Sequence, residues 1–69
     1  MKIKNDFGNN LKRIREEKGL SQKDIAEGLH TCRENVSKWE RGVISPQLKW
    51  VYEIAYILGV NPEDLIRTK

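Results

Sequence analysis

Only three residues, His30, Thr31 and Cys32, separate two predicted helices, and this short connection constrains the fold more than any other feature of the chain. These are helix 2 of the chain, which begins after Ser21, and helix 3, which runs from about Arg33 to Arg41. A connection of three or four residues makes two helices cross at a steep angle. The second helix is therefore expected to be held at the surface of the domain.

The rest of the sequence predicts an all-α fold of five short helices, because apolar residues recur at helical spacing and no segment alternates like a strand. Helix 1 is predicted from about Asp6 to Lys18. The predicted inward-facing residues are Phe7, Leu11, Ile14 and Lys18 in helix 1, Ile25, Ala26 and Leu29 in helix 2, Val36 and Trp39 in helix 3, Leu48, Val51, Tyr52, Ile54, Ala55 and Leu58 in helix 4, and Leu65 with Ile66 in helix 5.

Residues that favour helix ends stand at each predicted boundary. Ser21 and Asp24 have the spacing of a capping box. Gly19, Gly42 and Gly59 follow three of the predicted helices, where a left-handed cap is favoured. Pro46 is expected at the entry to helix 4, and Asn61-Pro62 is expected to begin helix 5.

Length and composition favour a small binding module. A chain of 69 residues is expected to form one domain, too small for a core and a deep catalytic cleft together. The formal net charge of +3 lies entirely in residues 1–41, which suits a polyanion such as DNA. With no secretory or membrane-spanning pattern, the protein is expected to be cytoplasmic. Cys32 is the only cysteine, so no internal disulfide forms, and we expect neither a metal site nor a cofactor.

Helical geometry gives helix 3 one polar face. At about 100° per residue, five polar side chains fall within roughly 140° of one another, whereas Val36 and Trp39 fall near 300° and 240°. The five are Arg33, Glu34, Ser37, Lys38 and Arg41, with Asn35 at the flank. Such a face suits base edges in the major groove, although a solvated amphipathic helix has the same pattern.

A resemblance that spans 11–65 favours DNA binding. The chain resembles the Cro/CI-like (XRE) family of bacterial and phage repressors, in which a helix-turn-helix, here about residues 22–41, binds the major groove. The motifs that carry the resemblance are Arg15-x-x-x-Gly19-Leu20-Ser21-Gln22-x-x-Ile25-Ala26, Val36-Ser37-Lys38-Trp39-Glu40-Arg41-Gly42, Pro46, and Ile54-Ala55-x-x-Leu58-Gly59-Val60.

The resemblance implies a role for each of several residues. Ser21 and Gln22 would contact phosphates at the start of helix 2. Base contacts would come from Arg33, Glu34, Ser37 and Lys38, with Asn35 marginal, and a further phosphate contact from Arg41. A partly buried ion pair between Arg15 and Glu40 would orient the recognition helix.

Two positions in the turn depart from the family pattern. His30 stands where glycine is usual, so a left-handed backbone is expected at a cost of about 1 kcal/mol. Cys32 stands where serine or threonine commonly caps helix 3, and a thiol is the weaker cap. A redox switch at this thiol is a minor hypothesis.

The family pattern also predicts a homodimer near helices 4 and 5. Trp50 is the expected anchor, together with Ile57, unless helix 5 or the C-terminus covers it. The loop Val43-Ile44-Ser45 is apolar where relatives carry basic residues. Lys49 and a basic arm at residues 1–5, with Lys2 and Lys4, are candidates to compensate.

Three classes of function follow from these patterns. The favoured one is a regulator, chiefly a repressor, that binds double-stranded DNA as a C2 dimer on half-sites about 34 Å apart. The second is an antitoxin-like or adaptor module that acts through a partner protein and binds DNA weakly. An enzyme is set aside, because His30 and Cys32 have no recognisable third catalytic partner.

Overall fold

Five α-helices form the computed structural model, which describes residues 6–67. The helices are α1 (Phe7–Glu17), α2 (Gln22–Leu29), α3 (Arg33–Arg41), α4 (Leu48–Leu58) and α5 (Pro62–Ile66). The prediction of an all-α fold with five helices is confirmed. The expected basic arm at residues 1–5 lies outside the described residues. Between residues 6 and 67 no helix is both long and apolar enough to cross a membrane.

One apolar core joins the five helices. α1 packs on α3 and α5, α2 packs on α3 and α4, and α4 also contacts α5. The core consists of Phe7, Leu11, Ile14, Ile25, Ala26, Leu29, Val36, Trp39, Val51, Ile54, Ala55, Leu58 and Leu65. Since α3 uses only two of these residues, most of its surface remains outside the core.

Four predicted inward-facing residues are instead exposed: Lys18, Leu48, Tyr52 and Ile66. The apolar stripe of α4 is wider than the arc that its neighbours cover, so Val51 and Ile54 are buried while Leu48 and Tyr52 remain in solvent. α5 buries one apolar side chain and ends directly after it, and Lys18 follows the last residue of α1.

Hydrogen bonds and backbone conformation at the helix ends fix where α2, α3 and α4 begin. Ser21 Oγ accepts from the Asp24 N–H at 3.0 Å, and Asp24 Oδ2 accepts from the Ser21 N–H at 2.9 Å, so the predicted capping box is present. The hydrogen bond from the Ser21 backbone holds the pKa of Asp24 below its ordinary value. His30 has φ +60°, as predicted, and Cys32 makes no side-chain cap bond to α3. α4 begins after Gln47, so Pro46 lies before the helix and not at its entry.

A polar residue, Asn10, is buried between α1 and α5. Its Nδ2 donates to the carbonyl oxygens of Leu65 and Arg67, each at 2.8 Å. These carbonyls lie at the end of α5, where helix geometry leaves them without an intrahelical donor. Asn10 therefore ties the last helix to α1, a contact that the apolar pattern of α1 does not indicate.

We expect Asn10→Ala to lower the free energy of unfolding by about 1–2 kcal/mol, because it leaves a carbonyl at the end of α5 without its donor. Urea unfolding followed by circular dichroism measures the change. Asn9→Ala is the matched control, since Asn9 is the exposed neighbour on the same helix turn, and it should stay within about 0.5 kcal/mol of wild type. Equal effects of the two substitutions would contradict the assigned role of Asn10.

Candidate nucleic-acid interface

The outer face of α3 carries three cations and one carboxylate. Arg33, Glu34 and Arg41 are exposed, and Lys38 is half-exposed between them. On the opposite side of the helix Val36 and Trp39 are buried in the core. The polar face that helical spacing predicts is therefore on the surface, and it has an excess of positive charge.

Asn35 and Arg41 are among the polar side chains of α3 that already have partners within the protein. Asn35 Nδ2 donates to Thr31 Oγ1 at 2.8 Å, which links the first turn of α3 to the connection before it. Arg41 Nε donates to Ser37 Oγ at 3.1 Å, so the guanidinium lies back along the helix, and its terminal nitrogens have no partner among residues 6–67. Asn35 lies at the flank of the polar face, and its amide is already bonded to Thr31. This bond favours a role for Asn35 in fixing the turn.

Arg15 and Glu40 form a two-point ion pair that joins α1 to α3. Arg15 Nε lies 2.7 Å from Glu40 Oε2, and Arg15 Nη2 lies 3.1 Å from Glu40 Oε1. The two side chains are only 10% and 3% exposed. Hydrogen bonding to this carboxylate raises the pKa of Arg15 above its usual value. Arg15 Nη1 also donates to the Leu20 carbonyl at 2.8 Å, so the same guanidinium contacts the segment before α2.

The start of α2 is linked to this ion pair through Gln22. Its Nε2 donates to Glu40 Oε1 at 2.9 Å, a contact that the sequence analysis did not predict. Ser21 Oγ accepts from Asp24, but its own hydroxyl proton is not used in that bond. Gln22 therefore lies beside α3, and it stands with Ser21 at an exposed helix start whose dipole favours anions.

Gly8 lets α1 approach the end of α3 closely. A Cβ atom at this position would lie 2.6 Å from the Trp39 carbonyl oxygen and 2.7 Å from the Glu40 carbonyl oxygen. Both contacts are with backbone, which cannot move aside as a side chain can. This role of Gly8 was not predicted from the sequence. A glycine inside a predicted helix was the signal that could have found it.

Trp50 is half-buried rather than exposed. The Trp50 ring centroid lies 5.6 Å from that of Trp39, and the Lys49 ammonium lies 5.2 Å from the Trp50 ring centroid. One neighbour that partly covers Trp50 is thus a side chain of α3. This packing weakens the reason for choosing Trp50 as a dimer anchor, because part of its surface is already buried.

An apolar surface lies where α4 passes α2. It comprises Gly28, Tyr52, Tyr56 and Ile57, with Glu53 among them. Tyr56 is 88% exposed, and Ile57 is half-buried. Elsewhere, Val43 and Ile44 are exposed in the loop after α3, so that loop is apolar as the sequence suggested.

A tight left-handed turn separates a helix with a solvent-exposed amino end from a helix with a cationic outer face. Together these features define a helix-turn-helix DNA-binding domain. Comparison with known families agrees with this class: residues 8–69 match the model described as "Helix-turn-helix domain". The chain belongs to this family, and within it to the Cro/CI-like (XRE) group of regulators that the sequence motifs indicated.

Several known proteins are similar to this chain. The SPbeta prophage-derived transcriptional regulator YonR of Bacillus subtilis is 38% identical over 61 residues, which is 88% of this chain and 56% of YonR. The chain thus spans little more than half the length of that relative.

Two solved structures extend the similarity to three dimensions. The restriction-modification controller protein C.AhdI of Aeromonas hydrophila has a TM-score of 0.83 at 33% identity, over 88% of this chain and 92% of that one. SinR, the master regulator for biofilm formation, in complex with DNA, has a TM-score of 0.79 at 27% identity, over 86% of this chain and 95% of that one.

Proposed function

We propose that this protein is a cytoplasmic repressor that binds a specific pseudo-palindromic operator as a homodimer. The observation that carries the proposal is the face of α3, where Arg33, Lys38 and Arg41 project from a helix whose other side is fixed in the core. Cationic and amide side chains so placed can donate to guanine O6 and N7 or contact phosphates. The similarity to SinR, whose structure was solved in complex with DNA, supports the same docking.

In the proposed complex α3 lies in the major groove and α2 lies across the backbone. Base contacts come from Arg33, Glu34, Ser37 and Lys38. Phosphate contacts come from Ser21, Gln22 and Arg41. Asn35 holds the turn through Thr31 and is at most a secondary contact.

The proposed dimer uses the apolar surface of α4. Ile57 and the exposed rings of Tyr52 and Tyr56 line one surface together with Gly28 and Glu53, and an apolar surface of this kind on a small domain favours a protein partner. A C2 dimer would place two α3 helices about 34 Å apart on one side of the duplex. Repression then needs only occupancy of the operator, since a bound dimer excludes other proteins from the same DNA.

Duplex titration at several salt concentrations tests this function. We expect selection from random duplexes to enrich a pseudo-palindrome, and log affinity to fall linearly with log salt concentration as phosphate counterions are released. Sedimentation of the complex should give two chains per operator, and a reporter gene under that operator should fall in output. Absence of duplex binding at low salt would contradict the proposal.

Single substitutions should separate base contacts from phosphate contacts. We expect Arg33→Ala and Lys38→Ala to cost about 1–3 kcal/mol at the preferred base and to relax the preference there, whereas Gln22→Ala should weaken all duplexes alike. Arg13→Ala is the control, because it removes an exposed cation on α1 that pairs with Glu17. A change in base preference from Gln22→Ala, with none from Arg33→Ala, would show that the helix roles are assigned wrongly.

A further inference from the structure

The Glu40 carboxylate lies at the centre of a network that reaches from the core to the surface. Its side chain is 3% exposed, so water does not satisfy its oxygens. Oε1 accepts from Arg15 Nη2 at 3.1 Å and from Gln22 Nε2 at 2.9 Å, while Oε2 accepts from Arg15 Nε. One buried carboxylate thus holds a guanidinium from α1 and an amide from the first residue of α2.

The bond to Glu40 uses only part of the donor capacity of Gln22. An amide nitrogen carries two N–H groups in a fixed plane, so the second N–H is directed away from the oxygen that the first one contacts. The backbone N–H groups of Gln22 and Lys23 also have no acceptor among residues 6–67, since the capping box uses those of Ser21 and Asp24. Three unused donors therefore lie together at the start of α2.

A free glutamine side chain would occupy several rotamers and lose them on binding, which weakens any contact that it makes. The hydrogen bond to Glu40 restricts the Gln22 rotamers before DNA binds, so their entropy is not lost on binding. A bond to a charged, buried acceptor can do this because charge-assisted hydrogen bonds are the stronger ones. The carboxylate is in turn fixed by two bonds from Arg15.

We infer that Glu40 is a positioning residue for DNA backbone binding: it holds the Gln22 amide so that the second N–H of Nε2 is presented to a phosphate. The inference rests on the proposed function and adds a mechanism to it. The ion pair of α1 and α3 then contributes to DNA affinity through Gln22, in addition to holding the helices together. Glu40 itself does not contact the DNA.

A double-mutant cycle on duplex affinity tests the inference. Gln22→Met keeps the length of the side chain and removes its hydrogen bonds, and it should weaken binding to the selected operator about tenfold. The same substitution is then made together with Arg15→Met and Glu40→Met, which replace the ion pair by apolar side chains that a core can accommodate. In that background we expect Gln22→Met to change affinity less than about twofold, because the amide is no longer held.

An undiminished tenfold effect in the apolar background would overturn the inference, since Gln22 would then act without Glu40. That outcome leaves the proposed function intact, whereas failure of the wild-type protein to bind any duplex would overturn the function itself. Circular dichroism at the titration temperature establishes that each variant is folded.

A measurement on the wild-type protein keeps the test independent of any variant. Gln22 and Gln47 are the only glutamines in the chain, and Gln47 is exposed at the start of α4. Side-chain ¹⁵N relaxation should show an ordered Gln22 amide and a mobile Gln47 amide in the free protein. Addition of the operator duplex should shift the Gln22 amide resonances and leave them ordered. Equal mobility of the two amides in the free protein, or release of Gln22 from Glu40 on binding, would overturn the inference.

Discussion

Replacing Glu40 by alanine is expected to lower the free energy of unfolding by about 3–5 kcal/mol, the cost of leaving a buried charge without its partner. The substitution removes both hydrogen bonds that Arg15 makes to the carboxylate, and the guanidinium, 10% exposed, has little access to water in exchange. Urea unfolding at neutral pH measures the change. For a domain of this size the loss approaches the total stability.

Glu17→Ala is the matched control for this substitution. Glu17 pairs with Arg13 at 3.5 Å one helix turn apart, but both side chains are more than half exposed. An exposed pair of this kind contributes about 0.3–0.5 kcal/mol. Similar losses from Glu40→Ala and Glu17→Ala would show that burial of the Arg15–Glu40 pair has no energetic consequence.

Gly8→Ala is expected to destabilise the protein by up to about 3 kcal/mol, although alanine is the better helix former. The new methyl group would lie within 2.7 Å of two backbone carbonyl oxygens at the end of α3, so the two helices must separate. Displacement of α3 should also weaken operator binding. Thermal unfolding and duplex titration of the same variant measure the two effects.

Gly28→Ala is the control for helix propensity. Its Cβ would meet only the Ile57 side chain, with Cδ1 at 2.9 Å, and this flexible end can move to another rotamer. The variant should therefore be neutral, or more stable by up to about 1 kcal/mol. If Gly8→Ala were also neutral, the close approach of α1 to α3 would not be a requirement of the fold.

Local signals in the sequence were sufficient for most of the architecture. The spacing of Ser21 and Asp24, the glycine after each of three helices, and the apolar positions of α2 and α3 all act within a few residues. The left-handed backbone at His30 followed from the family resemblance, which gives that turn position to glycine. The family motifs also implied that Arg15 pairs with Glu40, although the two residues are distant in sequence.

Predictions failed where the outcome depends on which neighbour covers a side chain. Leu48 and Tyr52 fit the apolar stripe of α4 as well as Val51 does, but the neighbouring helices cover only part of that stripe. One neighbour that partly covers Trp50 is Trp39 of α3, which the spacing of residues within α4 does not indicate. No local pattern distinguishes these cases, because burial is a property of the packed helices and not of one helix.

The sequence by itself determined that the chain forms five helices, where they begin and end to within a few residues, and that the polar side of α3 differs from its apolar side. These properties follow from backbone preferences and helical spacing, which act over short stretches of chain. Only the tertiary structure decided that Gly8 lies against the end of α3, that Asn10 ties α5 to α1, and that Glu40 also holds Gln22. Each of these contacts joins residues from different helices, so it exists only once the core has fixed where the helices cross.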